Sequence, residues 1–266
     1  SYASLGEIVA WIIGWDLLLE LMLGASVVAQ GWSAYLGVFL DRLGITIPSS
    51  VAYGSHFDLP AFLLVALLTV LVTVGIKESM RVNMVLVALK VFIVLFVIFA
   101  GIGYVNTDNY SPFIPEATAT ADTHTVWTAP LLQTIFGMEP SAFGVGGILA
   151  GASLVFFAYI GFDVVATTAE EAKNPARDLP RGIIGSLLIC TVLYCATALV
   201  MTGMVSYKDL SAEASLAKVF VDVGKPHYAT LIAAGAVAGL TTVVMTLLIG
   251  TSRVVFAMSR DWLLPS

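Results

Sequence analysis

Four ionisable groups stand inside stretches too apolar to solvate a charge: Asp16, Glu20, Lys90 and Asp163. Each costs about 2.5–3.5 kcal/mol at the centre of a membrane helix, so such groups face a cavity or a partner. Asp16 and Glu20, in the run GWDLLLE, are four residues apart and share one helical face. Glu20 is the deeper, about 22 Å along a helix from Leu5. One carboxyl capping or pairing with a neighbouring helix is the structural alternative to a functional role. Lys90 lies in VNMVLVALKVFIVLFVIF, about 12 Å in from Val82. Its stem could snorkel back to the membrane interface. Alternatively it faces the interior, where desolvation disfavours the charged form and the amine can lose and regain a proton. Gly146, Gly147, Gly151 and Gly161 lie in GGILAGASLVFFAYIGFDVVATTAEE, and the run Phe156–Asp163 combines aromatics, a glycine and an acid. Those glycines either allow close helix packing or mark a discontinuous helix whose freed carbonyls and amides bind an ammonium or carboxylate.

These groups need a membrane scaffold around them. Of 266 residues, 59% are hydrophobic and 11% charged, against about 45–50% and about 25% in soluble proteins. Too little polar surface remains to face water, and lipid is the simplest alternative. Net charge −6 argues against a nucleic-acid partner, which requires a basic surface. Cys190 and Cys195 sit in one apolar run, and His56, His124 and His227 are isolated, so no metal-ligand spacing is present. No nucleophile–base pair points to an enzyme.

Six stretches are long and apolar enough to span: approximately Leu5–Gln30, Leu59–Ile76, Val82–Val105, Phe143–Thr168, Ile183–Val205 and Tyr228–Met258. Lys77 and Arg81, then Lys173, Arg177 and Arg181, then Arg260 mark the cytoplasmic side, whereas Asn106–Pro140 has no Lys or Arg. Both ends are therefore expected in the cytoplasm, with Lys208, Lys218 and Lys225 of Ser206–His227 dissenting. The patches Trp127–Met138 and Ser211–Val223 suggest short helices at the outer surface.

Four stretches then carry a family resemblance: SLGEIVAWIIGWDLLLE (Ser4–Glu20), GIKESMRVN (Gly75–Asn83), FFAYIGFDVVATTAEEAKNPARDLPRGI (Phe156–Ile183) and TSRVVFAMSRDWLLP (Thr251–Pro265). The chain resembles the amino acid–polyamine–organocation superfamily, and within it the cationic amino acid transporters. The resemblance implies an all-α membrane protein with a LeuT-like inverted-repeat fold, here incomplete and matching family helices three to eight. Residues 1–105 would then be the remainder of the first repeat, 106–142 an extracellular loop and 143–266 the start of the second. The family's glycine-rich first helix, which holds the substrate carboxylate, has no counterpart here.

The resemblance also implies roles. The unwound sixth helix would fall at Ser153–Gly161 and take the substrate's amino group, with Ser153, Leu154, Phe156, Phe157, Ala158, Ile160 and Gly161 as substrate-binding candidates and Phe157 as aromatic gate. Lys90 matches the lysine that stands in place of a sodium ion in sodium-independent relatives. Glu20 and Asp163 match acids near the substrate or coupling site. Trp262 departs from the family's glycine in SRDGLLP, at a cytoplasmic turn. The implied function is proton-coupled transport of a free cationic or small neutral amino acid across the plasma membrane, with lipid as surroundings and protons, but no other cofactor, for coupling. A non-transporting amino-acid sensor on the same fold is the alternative, and an accessory membrane subunit is left open.

Overall fold

The computed structural model describes residues 6–74, 80–117, 143–161, 174–211 and 213–261. Among them every regular element is helical: α1 (Glu7–Arg42), α2 (Leu59–Thr73), α3 (Met80–Ile102), a 3₁₀ turn (Thr107–Tyr110), α4 (Gly144–Phe156), a second 3₁₀ turn (Phe157–Tyr159), α5 (Pro175–Met204), α6 (Ser215–Asp222) and α7 (Pro226–Arg260). Four of these, α1, α3, α5 and α7, are long and apolar enough to cross a membrane. The protein is a multi-pass membrane protein.

Of the six expected spans, two are shorter than anticipated. The 15 residues of α2 extend about 22 Å, less than the roughly 30 Å hydrocarbon core, and the expected end at Ile76 lies outside the described residues. The α-helical part of α4 has 13 residues because it breaks at Phe156. Two helices outrun their apolar stretches instead. α1 continues from Gln30 to Arg42 because its extension is held by packing: Ser33 and Ala34 are buried, and the Trp32 indole N–H is shared between the Val237 carbonyl and Thr241 Oγ1, both at 3.0 Å. α5 starts at Pro175 rather than Ile183. Proline suits a helix's first position, where its missing N–H has no partner to lose.

α7 packs against α1, α2, α3 and α6. An added Cβ at Gly14 would lie 2.8 Å from Met258 Sδ, and one at Gly24 3.6 Å from Leu247 Cδ1. With Trp32 on Val237, these contacts fix α1 and α7 as antiparallel, bringing the start of α1 beside the end of α7. Ala25 and Ala29 line the same side of α1, so two long helices approach closely. On another face of α7, the GAVAG run of Gly235–Gly239 receives α3. A Cβ on Gly235 would fall 2.5 Å from Ile93 Cδ1, and one on Gly239 3.1 Å from Lys90 Cγ. Small residues four apart let backbones come together where lipid supplies no hydrophobic drive.

α2 joins through Asp58, whose Oδ1 accepts from Ser33 Oγ at 2.7 Å and from the Ala61 amide at 3.1 Å. One carboxylate oxygen therefore caps α2 and ties it to α1. α3 and α5 run parallel, since Gly101 near the end of α3 meets Val200 and Met204 near the end of α5. The first 3₁₀ turn is stitched to the same end: Asn109 Nδ2 donates to the Gly203 carbonyl (2.7 Å) and the Tyr110 hydroxyl to the Leu199 carbonyl (2.7 Å). α6 forms within the expected stretch Ser211–Val223 and buries Ala217, Val219 and Phe220 among Val97, Val200, Met204 and Ile232. Its apolar face closes the end of the α3–α5–α7 group. The patch Trp127–Met138 lies outside the described residues.

A leucine at Gly235 should push α3 off α7 and lower stability by about 1–3 kcal/mol. A leucine at Gly31, where an added Cβ meets nothing within 4 Å, should leave stability unchanged. Thermal unfolding of both variants in detergent checks the pair.

Candidate functional site

α4 enters beside the C-terminal end of α5, where Phe143 and Tyr207 stack edge to face at 5.5 Å. It runs α-helically through Phe156, tightens into the 3₁₀ turn Phe157–Tyr159, and reaches Gly161 with φ +116°. That dihedral is open to glycine because it has no Cβ. The turn lies partway along α5. Ala158 and Tyr159 meet Tyr194 and Thr191 of α5, and Tyr194 lies about 15 Å below the end of α5 at Met204.

The residue after the turn anchors the break on the opposite side. A Cβ added to Gly24 would lie 3.7 Å from Ile160 Cγ2 and 3.6 Å from Leu247 Cδ1. Ile160 thus seats on the α1–α7 seam, packed with Leu18, Leu21 and Ala25. Glu20 is one turn from Gly24 on the same face of α1 and is half-buried. Asp16 is exposed.

The expected unwound range, Ser153–Gly161, is corrected at its start. Ser153, Leu154 and Phe156 belong to regular α-helix, and Ser153 Oγ donates back to the Leu149 carbonyl at 3.1 Å. The α-helical geometry persists because nothing before Phe157 demands a dihedral that ordinary residues resist; the positive φ comes only at Gly161. Ser153, Leu154, Phe156 and Ala158 are exposed, whereas Ile160 and Gly161 are half-buried. The aromatic gate expected of Phe157 rests on a side chain outside those described. Asp163 lies outside the described residues.

Lys90 is half-buried and lays its stem on α7, with Cγ 3.1 Å and Cε 3.5 Å from where a Gly239 Cβ would stand. It is about 15 Å along α3 from Met80. Lys90 and Ile160 therefore contact the same helix at different levels, Lys90 at Gly239 and Ile160 at Leu247. Chemically, the arrangement offers turn carbonyls partway along α5, with a carboxyl on α1 and an amine on α3 beside α7.

Sequence reasoning missed several residues that build this geometry. Gly24 and Gly239 are the platforms for Ile160 and Lys90, and Thr191 and Tyr194 hold the turn. The signals were present: GAVAG has close-packing spacing, and Thr191 and Tyr194 are polar groups three residues apart in an apolar run. Among the described residues no group of three His, Cys, Asp or Glu could hold a metal.

Cysteines at positions 24 and 160, with Cys190 and Cys195 replaced by serine, should cross-link on mild oxidation. A 31/160 pair should not. Mobility on non-reducing gels distinguishes them.

The model of the family described as "Amino acid permease" matches residues 1–266. The branched-chain amino acid permease BcaP of Bacillus subtilis (strain 168) is 42% identical over 274 residues, covering 100% of this chain and 53% of that protein. The methylthioribose transporter of the same organism is 41% identical, covering 100% and 53%. Cationic amino acid transporter 9, chloroplastic, of Arabidopsis thaliana is 38% identical, covering 100% and 44%. The chain spans about half the length of the curated relatives it matches. The helical architecture of the described residues agrees with what the resemblance led us to expect, and the match over the whole chain shows that the protein belongs to the amino acid permease family of the amino acid–polyamine–organocation superfamily.

Proposed function

We propose that the protein carries a free amino acid across a cell membrane by alternating access, coupled to protons. The observation that carries this reading is the break after Phe156, seated on the α1–α7 seam through Ile160, in a chain whose relatives are permeases and transporters. A zwitterion must have both charges matched before it leaves water. The carbonyls of a broken helix offer that match to an α-ammonium without a fixed charge.

In this reading the backbone around Ala158–Gly161 takes the amino group. Leu154, Phe156, Phe157 and Ile160 shape the apolar wall, and Ser153 lies one turn above. Lys90 supplies the positive charge of a coupling cation and exchanges the proton, with Glu20 and Asp163 as acids near the path. Its depth and the contact of its stem with Gly239 support an inward-facing lysine over a snorkelling one. Both ends of the chain are proposed to lie in the cytoplasm. The antiparallel pairing that sets the start of α1 beside the end of α7 supports their lying on one side.

For the substrate, the names of the relatives point to branched-chain and cationic amino acids and to methylthioribose. We favour an amino acid, because turn carbonyls suit an ammonium group. Competition by unlabelled leucine, arginine, alanine and methylthioribose against labelled amino acid, in the intact protein reconstituted in proteoliposomes, separates these classes. Stronger competition by methylthioribose than by any amino acid overturns the substrate class, and specific binding without flux makes the protein a sensor.

Lys90→Ala is expected to abolish accumulation driven by an inward proton gradient. Unchanged gradient-driven accumulation by this variant overturns the role of Lys90.

A further inference from the structure

The break is held by a pair of crossed hydroxyl clamps from α5. Tyr194 of α5 donates its phenol proton to the Ala158 carbonyl at 3.0 Å. One residue on, the Tyr159 hydroxyl meets Thr191 Oγ1 at 3.0 Å. Thr191 Oγ1 also reaches the Leu187 carbonyl at 2.8 Å, and either hydroxyl of the second clamp can donate to the other. The two tyrosine rings pack edge to face, centroids 5.4 Å apart, in the arrangement their quadrupoles favour. α5 thus grips the turn twice, once by its backbone and once by a side chain.

The two clamps do different work. The Tyr159–Thr191 bond joins side chains and places the turn beside α5. The Tyr194 bond joins a side chain to a peptide carbonyl and so fixes the direction of that peptide unit. A carbonyl oxygen accepts at two positions, and a phenol oxygen that donates one proton still accepts. Ala158 O and Tyr194 Oη therefore form a pair of acceptors 3.0 Å apart, at the depth where α4 has lost its helical bonding. In an apolar surround a peptide carbonyl without a partner is costly, so the phenol also satisfies the turn while no substrate is bound.

We propose that Tyr194 is a positioning residue for recognition of the substrate's amino group, holding the Ala158 carbonyl where it and the phenol oxygen together receive a primary ammonium. This rests on the transport reading above. It assigns specificity for an amine to α5, a helix from which the sequence suggested no site residue. A 2-hydroxy acid of the same side chain, whose hydroxyl brings one donor and no positive charge in place of the ammonium, is the ligand such a pair should discriminate against.

The test uses the intact protein in proteoliposomes, with labelled amino acid as substrate and the matching amino acid and 2-hydroxy acid as competitors. Tyr194→Phe keeps the ring and removes the hydroxyl. It should raise KM by about fivefold, the value of one hydrogen bond, leave the maximal rate nearly unchanged, and reduce the preference for the amino over the hydroxy acid by a similar factor. Thr191→Val, which removes the partner of Tyr159, should leave that preference intact. The same two ligands scored by their stabilisation of detergent-solubilised protein against heat give a readout independent of flux. An unchanged preference in Tyr194→Phe, or equal weakening of both ligands, overturns the role of Tyr194. Wild-type protein that takes up no amino acid overturns the transport reading instead.

Discussion

Close approach of helices to α7 is the constraint on which the rest of the arrangement depends. Lipid is as apolar as leucine, so burying leucine between membrane helices yields little; what remains is dense packing and internal hydrogen bonding. α7 meets this with small residues on separate faces. Its partner α1 brings Gly14, Gly24, Ala25 and Ala29 to one side, while Gly235 and Gly239 of α7 receive Ile93 and Lys90 of α3 on another. α2 is then tied to α1 through the capping carboxylate of Asp58, and α6 closes the far end with Phe220. The same contacts that hold the bundle also set the positions of the functional candidates. Lys90 rests on Gly239, and Ile160 on Gly24 beside Leu247.

The second requirement concerns the broken helix. In water, carbonyls released where a helix ends are solvated at little cost. At membrane depth they need partners from the protein itself. Tyr194 answers that need for Ala158, and the Ile160 contact with α1 and α7 fixes the turn on its other flank. A break held on two sides is both tolerable in an apolar medium and geometrically defined, the two conditions a backbone binding site must satisfy together. In the proposed transport reading the α1–α7 seam supplies a fixed wall, and the turn after Phe156 presents main-chain polarity against it.

Much of the fold was legible because membrane insertion writes itself into composition. Apolar runs near the length of the bilayer located the spans, and α3 and α7 lie within a few residues of their expected bounds. Errors arose where hydropathy was not the deciding force. α1 extends to Arg42 through contacts of Trp32 and Ser33 with other helices, and α5 begins among polar residues at Pro175. The position of the break was marked by Gly161 and its aromatic neighbours. Its start was misplaced toward Ser153, since nothing local distinguishes the last α-helical turn from the first 3₁₀ residue.

By itself, the sequence determined that this is an all-α membrane protein of a transporter family, that Lys90 and Glu20 are ionisable groups within apolar spans, and that the glycine-bearing stretch around Phe156–Asp163 is either a close-packing face or a break in its helix. Those properties follow from hydrophobicity, spacing and motif, which are local. Only the tertiary structure decided that α7 is the common partner of α1, α2, α3 and α6, that Gly24 and Gly239 seat Ile160 and Lys90, and that α5 clamps the turn through Thr191 and Tyr194. A glycine reads alike whether it meets lipid or a neighbouring helix, and a tyrosine hydroxyl's acceptor lies 36 residues away along the chain. Such choices are made by long-range packing, and no local pattern records them.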